Sequence, residues 1–247
     1  MNEVTALPDY AKRIAVFDTE TTGLNLKTAR IVTASVVELD ETGAIVVDRD
    51  EWLANPGIEI PEVAANVHGI TTAIAQERGR DYKEVVSEIL AALRDCFERG
   101  IPVVAYNAPY DFTILYHQAI ELGLEPIDVP LPVIDPLVID KQLDRYRKGP
   151  RRLEVTAEFY QVKLEDAHNA KADAIAAGRV AQAVLRKFAA QLPDNVVDLH
   201  NQQTIWADEI EASFVKFLQG AGKPEARPNF GWPLKLGAPQ ATAIAKV

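Results

Sequence analysis

The stretch IAVFDTETTGL, residues 14–24, is the most informative part of the chain for its fold. Its first four residues are apolar and predict a buried strand, and Gly23 lies in the turn that follows. Side chains two apart on a strand point to the same side, so Asp18 and Glu20 are expected to project together from the strand end. Two adjacent carboxylates repel each other, and a hard divalent cation would remove that cost. The alternative is a solvated junction between strand and turn, and it is the better reading of an isolated Asp-X-Glu.

Beyond this strand, the chain predicts a mixed α/β layer fold. Two more strands are predicted at residues 31–39 and 44–52, joined by a hairpin at residues 40–43, and two short buried strands follow at residues 103–106 and 133–134. Helical spacing of apolar residues predicts the helices, at residues 81–99, 112–122, after Pro136, 153–160, 170–188 and 208–219. Three strands followed by alternating helix and strand are typical of helices packed on a mixed sheet.

Two further segments place acidic side chains where helices begin. Asp111 follows the strand at residue 103, and Asp173 lies in the first turns of a predicted helix, just after His168. Each has an ordinary structural explanation. Asp111 would serve as a helix cap, Asp173 as a favourable charge near a helix N-terminus, and His168 as a surface loop residue.

Taken together and in order, these segments resemble the three motifs of the DEDDh, or DnaQ-like, 3′→5′ exonucleases. The motifs are DTETTGL from Asp18, NAPYD from Asn107 and HNAKAD from His168. The resemblance covers roughly residues 13–188 and is similar in order and spacing to the epsilon proofreading subunit of bacterial DNA polymerase III. It implies a ribonuclease H-like fold, with a mixed five-stranded sheet flanked by helices and followed here by a C-terminal helical extension.

The resemblance also implies the catalytic roles. Asp18, Glu20, Asp111 and Asp173 would ligate two divalent ions, Mg²⁺ or Mn²⁺, and oxygen ligands suit both metals. His168 would be the general base that accepts a proton from the attacking water, and a histidine with a pKa near ~6.5 suits that task.

Residues around these motifs would contact the terminal nucleotide. The implied substrate-binding residues are Thr19, Thr21, Thr22, Gly23, Leu24, His68, Asn107 and Phe112. His68 lies in VHGIT, residues 67–71, which resembles a further family element and is otherwise an ordinary turn. A position in the core is an equal alternative for Phe112, whose ring would otherwise stack on a base.

Three residues depart from this pattern or stand outside it. Tyr106 precedes Asn107 where many relatives have histidine, a departure that concerns details of substrate contact and not the metal site. Asp135 follows the fifth predicted strand, and we expect a structural or metal-supporting role for it. Cys96, the only cysteine, falls on the apolar side of a helix and is expected to be a buried small side chain.

Composition limits the classes of partner. The 247 residues carry a formal net charge of −10, which disfavours tight nonspecific binding of duplex nucleic acid. No apolar run approaches the ~20 residues of a membrane helix, and the N-terminus lacks signal-peptide features, so we expect a cytoplasmic protein. Residues 1–190 are expected to form the exonuclease domain and residues 191–247 a C-terminal helical extension and tail, too short for a second core.

The function predicted from the resemblance is 3′→5′ exonucleolytic hydrolysis of single-stranded DNA to nucleoside 5′-monophosphates. An RNA-directed exonuclease of the same superfamily is one alternative. A noncatalytic module that docks on a DNA polymerase is the other, and the intact carboxylates and His168 disfavour it. A polymerase is also a candidate partner for an active enzyme, with residues after 191 as a candidate docking segment.

Overall fold

A mixed sheet forms the centre of the computed structural model, which describes residues 6–49, 51–163 and 169–236. In chain order, the strands found in these ranges are β1 Ile14–Thr21, β2 Ile31–Leu39, β3 Ile45–Asp48, β4 Trp52–Leu53, β5 Val103–Val104 and β6 Val133–Ile134. The order in the sheet is β3-β2-β1-β5-β6, and β4 pairs with β2. β1 is antiparallel to β2 and parallel to β5, which is parallel to β6. The predicted mixed sheet is confirmed.

The sheet has six strands among the described residues, whereas five were predicted, because one predicted strand is two separate strands. The strand expected at residues 44–52 is divided into β3 and β4. Asp48 pairs with Val37 and Trp52 pairs with Ala34, so this side has one residue more than β2 over the same interval. An extra residue interrupts the ladder as a bulge does, which a continuous run of strand-forming residues does not reveal. The predicted hairpin is present, and Gly43 takes a positive φ of 79° in it.

Helices pack on the sheet, and most of them were predicted from the spacing of apolar residues. They are α1 Glu62–His68, α2 Thr72–Arg78, α3 Tyr82–Glu98, α4 Pro109–Glu121, α5 Pro136–Leu143, α6 Leu153–Phe159, α7 Ala170–Phe188 and α8 Val196–Gly220. The sequence did not predict α1 and α2. α1 buries none of its side chains, and Val63 on it is 80% exposed, so it carries no apolar stripe.

Helix α7 lies directly against β1 and β2, and this contact carries Asp173 to the site. Gly178 faces the sheet so closely that a Cβ there would lie 2.3 Å from Val16 and 2.7 Å from Leu39. Glycine therefore allows close approach of helix and strand. Asn169 caps the helix by accepting from the N–H of Ala172, and Asp173 lies in the first turn.

Helix α8 begins twelve residues before the predicted start at 208 because its first turns bury polar side chains. The N–H of Val133 donates to Nδ1 of His200 at 3.1 Å, and Nε2 of Gln203 donates to the Val133 carbonyl at 3.1 Å. Oε1 of Gln203 accepts from the N–H of Asp135 at 2.7 Å. These side chains bond the backbone groups on the outer edge of β6, as a further strand would, so that this edge of the sheet is not left open.

His200 should make the stability of the protein depend on pH. Burial lowers the pKa of His200 to about 4, whereas an unfolded histidine titrates near ~6.5. The unfolded chain binds this proton more tightly, so the contribution of His200 to stability is complete above pH ~6.5 and is lost as the pH falls toward 4. The matched variant is His200→Asn, whose side-chain oxygen can accept from Val133 but does not titrate. Urea unfolding should show wild type losing on the order of 3 kcal/mol relative to the variant as the pH is lowered. A stability difference that is constant over this range would contradict the prediction.

The described part of the extension packs on the sheet. Leu199, Trp206 and Trp232 belong to the same buried apolar cluster as Phe17 and Val104. Among the described residues, no helix combines the length and apolar character needed to cross a bilayer.

Candidate active site

Three of the predicted carboxylates meet at the end of β1. Asp18 and Glu20 each contribute a carboxylate oxygen, Asp173 contributes a third, and the three atoms lie within 4.8 Å of one another. Asp18 and Glu20 come from alternate positions of the strand, and Asp173 comes from the first turn of α7. The structure therefore brings together groups separated by about 150 residues of chain.

Asp111 lies beside this cluster and is held by the strand rather than by its own helix. Its Oδ1 accepts from the backbone N–H of Thr19 at 3.1 Å and from the Thr19 hydroxyl at 2.6 Å. Its charge also raises the pKa of both Asp18 and Glu20. The alternative that Asp111 serves only as a helix cap finds no support among the described residues, because the hydrogen bonds of its carboxylate go to β1.

The carboxyl groups carry a high electrostatic cost. Burial raises the pKa of Asp18 well above its usual value, and the charges of Asp111, Glu20 and Asp173 add to the rise. Burial, with Asp173 and Asp111, raises the pKa of Glu20 to about 8. Burial raises the pKa of Asp111 to about 7 against the hydrogen bonds from Thr19. Neither Asp18 nor Glu20 has a cationic side chain as partner in the part of the chain that the structure describes.

A second acidic cluster provides a contrast. Glu38, Asp95 and Cys96 also lie within reach of one ion. Glu38 is fully buried, yet it forms ion pairs with Arg99 and Arg13, the latter at 2.7 Å. Burial opposes ionisation of Glu38, but the hydrogen bonds from these arginines lower its pKa overall. Arginines already neutralise this cluster, and Cys96 is a buried free thiol, as predicted.

The turn after β1 is clamped to α4. The hydroxyl of Thr21 donates to the Gly23 carbonyl at 2.9 Å, and Tyr110 bonds both the Thr21 hydroxyl and the same carbonyl. Thr22 accepts from the N–H of Arg30 at 3.0 Å. Tyr110 was not singled out in the sequence, although it stands beside Asp111 in the middle motif.

The other predicted substrate contacts differ in accessibility. Leu24 is 85% exposed, and a Cβ on Gly23 would meet nothing within 4 Å, so the space beside this turn is open. His68 is half-buried, accepts from the N–H of Ile70 at 3.2 Å and lies near the backbone of Thr21. Burial lowers the pKa of His68. Thr19, by contrast, is buried and its hydroxyl is committed to Asp111.

Phe112 lies in the hydrophobic core, which was one of the two positions predicted for it. It is 2% exposed and packs edge-on against Phe17, with ring centroids 5.5 Å apart. Its ring is therefore not available for stacking on a base, and its assignment as a substrate contact is corrected. The predicted general base, His168, lies outside the described residues.

Asp135 supports the backbone that leads to Asp111. Its two carboxylate oxygens accept from the N–H groups of Asn107 at 3.1 Å and Ala108 at 3.0 Å, from Leu137 at 3.0 Å and from Nε1 of Trp232 at 3.3 Å. Asn107 is exposed and takes a positive φ of 64°, which asparagine tolerates better than most residues. The carboxylate therefore holds a tight turn in place, while burial raises its pKa against these bonds.

The Asp135→Asn variant should be destabilised although it is nearly isosteric. An amide has one acceptor oxygen, so its NH₂ group must face two of the four donors, which would be left without partners. We expect a loss of about 2–4 kcal/mol in the free energy of unfolding, measured by urea denaturation. Asp81→Asn is the matched control, because Asp81 is an exposed cap and its side chain accepts from a single donor among the described residues, the N–H of Glu84. Equal stability of the two variants would refute this role of Asp135.

Comparison with known proteins gives a family match over the part of the chain that contains these carboxylates. A family model described as Exonuclease (RNase T) matches residues 15–181. The chain is 32% identical over 177 residues to the DNA polymerase III PolC-type protein of Lacticaseibacillus paracasei, covering 72% of this chain and 11% of that one. It is 30% identical over 125 residues to a DNA polymerase III subunit epsilon-like protein of Rhodobacter capsulatus, covering 50% of this chain and 16% of that one. The chain thus spans a small part of the length of these relatives.

The fold has solved counterparts. The structure of E. coli exonuclease I in complex with a dT13 oligonucleotide superposes with a TM-score of 0.61 at 16% identity, covering 73% of this chain and 42% of that chain. Exonuclease I from Methylocaldum szegediense gives a TM-score of 0.59 at 18% identity, with 83% and 45% covered. At these identities the likeness concerns the fold alone.

Proposed function

Since this chain belongs to the exonuclease family whose model matches residues 15–181, we propose that it is a metal-dependent 3′→5′ exonuclease acting on single-stranded DNA. The observation that carries the proposal is the cluster of Asp18, Glu20 and Asp173 with Asp111 beside it. Asp18 and Glu20 are partly buried and have no cationic side chain as partner among the described residues, which is costly for a structural site and useful for a catalytic one.

The chemistry of these residues fits hard divalent cations. All the donors are carboxylate oxygens, which Mg²⁺ and Mn²⁺ prefer. Burial and the neighbouring carboxylates both raise the pKa values of Asp18 and Glu20, and bound cations would offset this cost of ionisation. Asp18, Glu20, Asp111 and Asp173 would hold two ions. When bound, such a pair of ions stabilises the charge that develops on the attacking and leaving oxygens of phosphodiester hydrolysis.

The chain itself would supply positioning and proton transfer. Thr19 orients Asp111 through its N–H and its hydroxyl. His168 would accept the proton of the attacking water at one imidazole nitrogen. The open turn at Gly23 and the exposed side chain of Leu24 would admit the terminal nucleotide, and His68, which lies near the backbone of Thr21, would contact it as well. The clamp from Tyr110 keeps this turn in one conformation, so the nucleotide meets a preformed surface.

The relatives support DNA as substrate and a polymerase as partner. They are named as PolC-type and epsilon-like polymerase III proteins, and a solved structure of similar fold contains an oligothymidylate. In this proposal the protein acts on 3′ ends of DNA, alone or beside a polymerase.

Hydrolysis of labelled oligonucleotides tests the function. Single strands of DNA and RNA carrying a 5′ label would be incubated with Mg²⁺, Mn²⁺ or EDTA. We expect a ladder that shortens from the 3′ end, release of nucleoside 5′-monophosphates, loss of activity in EDTA, and faster cleavage of DNA. Faster cleavage of RNA would identify an exoribonuclease instead. Absence of cleavage of both polymers with either metal would refute the enzymatic proposal and favour a noncatalytic docking module.

A further inference from the structure

The connection between α5 and α6 concentrates positive charge in an acidic protein. Residues 145–152 read RYRKGPRR, with five cations and no acid, in a chain whose net charge is −10. We call residues 145–152 the basic loop. Such a charge run is usually a solvated surface, so its geometry decides whether it has a further role.

Two of the five cations fix the loop in place. Arg147 and Arg151 have side chains only 5% and 12% exposed, and both form ion pairs with the fully buried Asp140, Arg147 at 2.6 Å. Arg151 also donates to the carbonyls of Asp144 and Arg147, and Tyr160 donates to the other Asp140 oxygen at 2.7 Å. The inward arginines thus hold the loop in a defined shape, which lowers the entropic cost of binding a ligand.

The outward side chains are of a different kind. Lys148 and Arg152 are not buried and have no ion pair among the described residues, while Arg145 lies 3.8 Å from Glu209. Tyr146, which lies between Arg145 and Lys148 in the sequence, is 94% exposed. Cations that follow a phosphate backbone and an aromatic ring on which a base can stack are the combination found in proteins that bind single strands.

The basic loop is tied to the segment that leads into the middle motif. The hydroxyl of Tyr106 donates to the carbonyl of Arg151 at 2.7 Å and bonds the Thr156 hydroxyl at 2.9 Å. Tyr106 directly precedes Asn107 and the turn that leads to Asp111. α6, which follows the loop, packs against α7, the helix that carries Asp173. The tyrosine that departs from the family pattern therefore ties this loop to the middle motif.

We propose that the basic loop binds the single strand next to the terminal nucleotide, with Lys148 and Arg152 on phosphates and Tyr146 stacked on a base. This inference rests on the proposed exonuclease function and adds to it a surface for longer substrates. The terminal nucleotide is held at the β1 turn, and the loop holds the strand that leads to it.

Fluorescence anisotropy with labelled oligothymidylate in EDTA tests binding without hydrolysis. Tyr146→Ala should raise Kd roughly 5- to 150-fold, the equivalent of the ~1–3 kcal/mol of one base–aromatic stack, and Tyr146→Phe should bind like wild type. Lys148→Ala combined with Arg152→Ala should flatten the slope of log K against log salt by about 1.4, at ~0.7 for each phosphate that is no longer neutralised. Lys216→Ala combined with Lys223→Ala removes two exposed lysines elsewhere and should leave the slope unchanged.

A substrate with a single nucleotide separates this inference from the proposed function. Hydrolysis of the p-nitrophenyl ester of thymidine 5′-monophosphate should be the same in all these variants, because it does not reach the loop. Absence of ester hydrolysis by wild type would count against the exonuclease function. The anisotropy measurements would still test whether the basic loop binds the single strand. Unchanged Kd and salt slope in the loop variants, or no oligonucleotide binding by wild type, would overturn the inference.

Discussion

The Asp111→Asn variant is expected to lose nearly all exonuclease activity while its fold persists. The asparagine oxygen can still accept from the N–H and hydroxyl of Thr19, which now bind Oδ1 of Asp111 at 3.1 and 2.6 Å. The negative charge disappears, however, and with it one of the proposed ligands. The loss should exceed the ~10–100-fold that removal of a group supporting a metal ligand typically costs.

The measurement is the single-turnover rate on a 5′-labelled DNA strand at saturating Mg²⁺, with circular dichroism to verify folding. Asp81→Asn is again the control, because it makes the same chemical change at a true helix cap on α3. Because burial disfavours the charged form of Asp111 and raises its pKa, the neutral variant should be at least as stable as wild type without metal. A cleavage rate equal to that of wild type would show that Asp111 is dispensable and would remove it from the proposed site.

His168→Ala is expected to lower kcat by on the order of 10²–10⁴-fold, the usual contribution of a general base. A base acts in the transition state, so binding of metal and of a short oligonucleotide should change far less than kcat. The acidic limb of the rate against pH should also flatten in the variant. His168 is outside the described residues, so this prediction rests on its match to the HNAKAD motif and on its position one residue before Asn169, the cap of α7.

Single-turnover cleavage and calorimetric titration with Mn²⁺ distinguish the roles open to His168. His117→Ala provides the comparison, because His117 lies on α4 outside every motif and packs edge-on with Tyr116. A cleavage rate close to that of wild type would end the assignment of His168 as base. Loss of Mn²⁺ binding together with activity would instead identify it as a ligand or as a structural support of the site.

The elements with a strong local pattern could be predicted from sequence. β1 begins with four apolar residues, β2 is rich in apolar and β-branched residues, and α3 repeats buried residues at helical steps from Tyr82. Elements without such a pattern could not. α1 exposes both of its valines. The division between β3 and β4 depends on pairing with β2, which is a separate segment of the chain.

The same distinction holds at the site. Asp18 and Glu20 share a face because of the period of a strand, so their proximity follows from local geometry. Asp173 joins them only because α7 crosses β1 at Gly178, and Asp111 turns toward β1 because Thr19 offers two donors. Phe112 lies in the core because its ring packs against Phe17 of β1, and the sequence alone does not show that contact.

The amino-acid sequence was sufficient for the class of fold and for the identity and order of the acidic motifs, because strand and helix periodicity and short motifs are local properties of a chain. Only in the folded protein do His200 and Gln203 cover the edge of β6, does Trp232 reach Asp135, and does Tyr106 anchor the basic loop. These are single polar contacts between segments distant in sequence, and they leave no periodic signal. Their partners are selected only when the layers pack and each buried donor or acceptor must be satisfied.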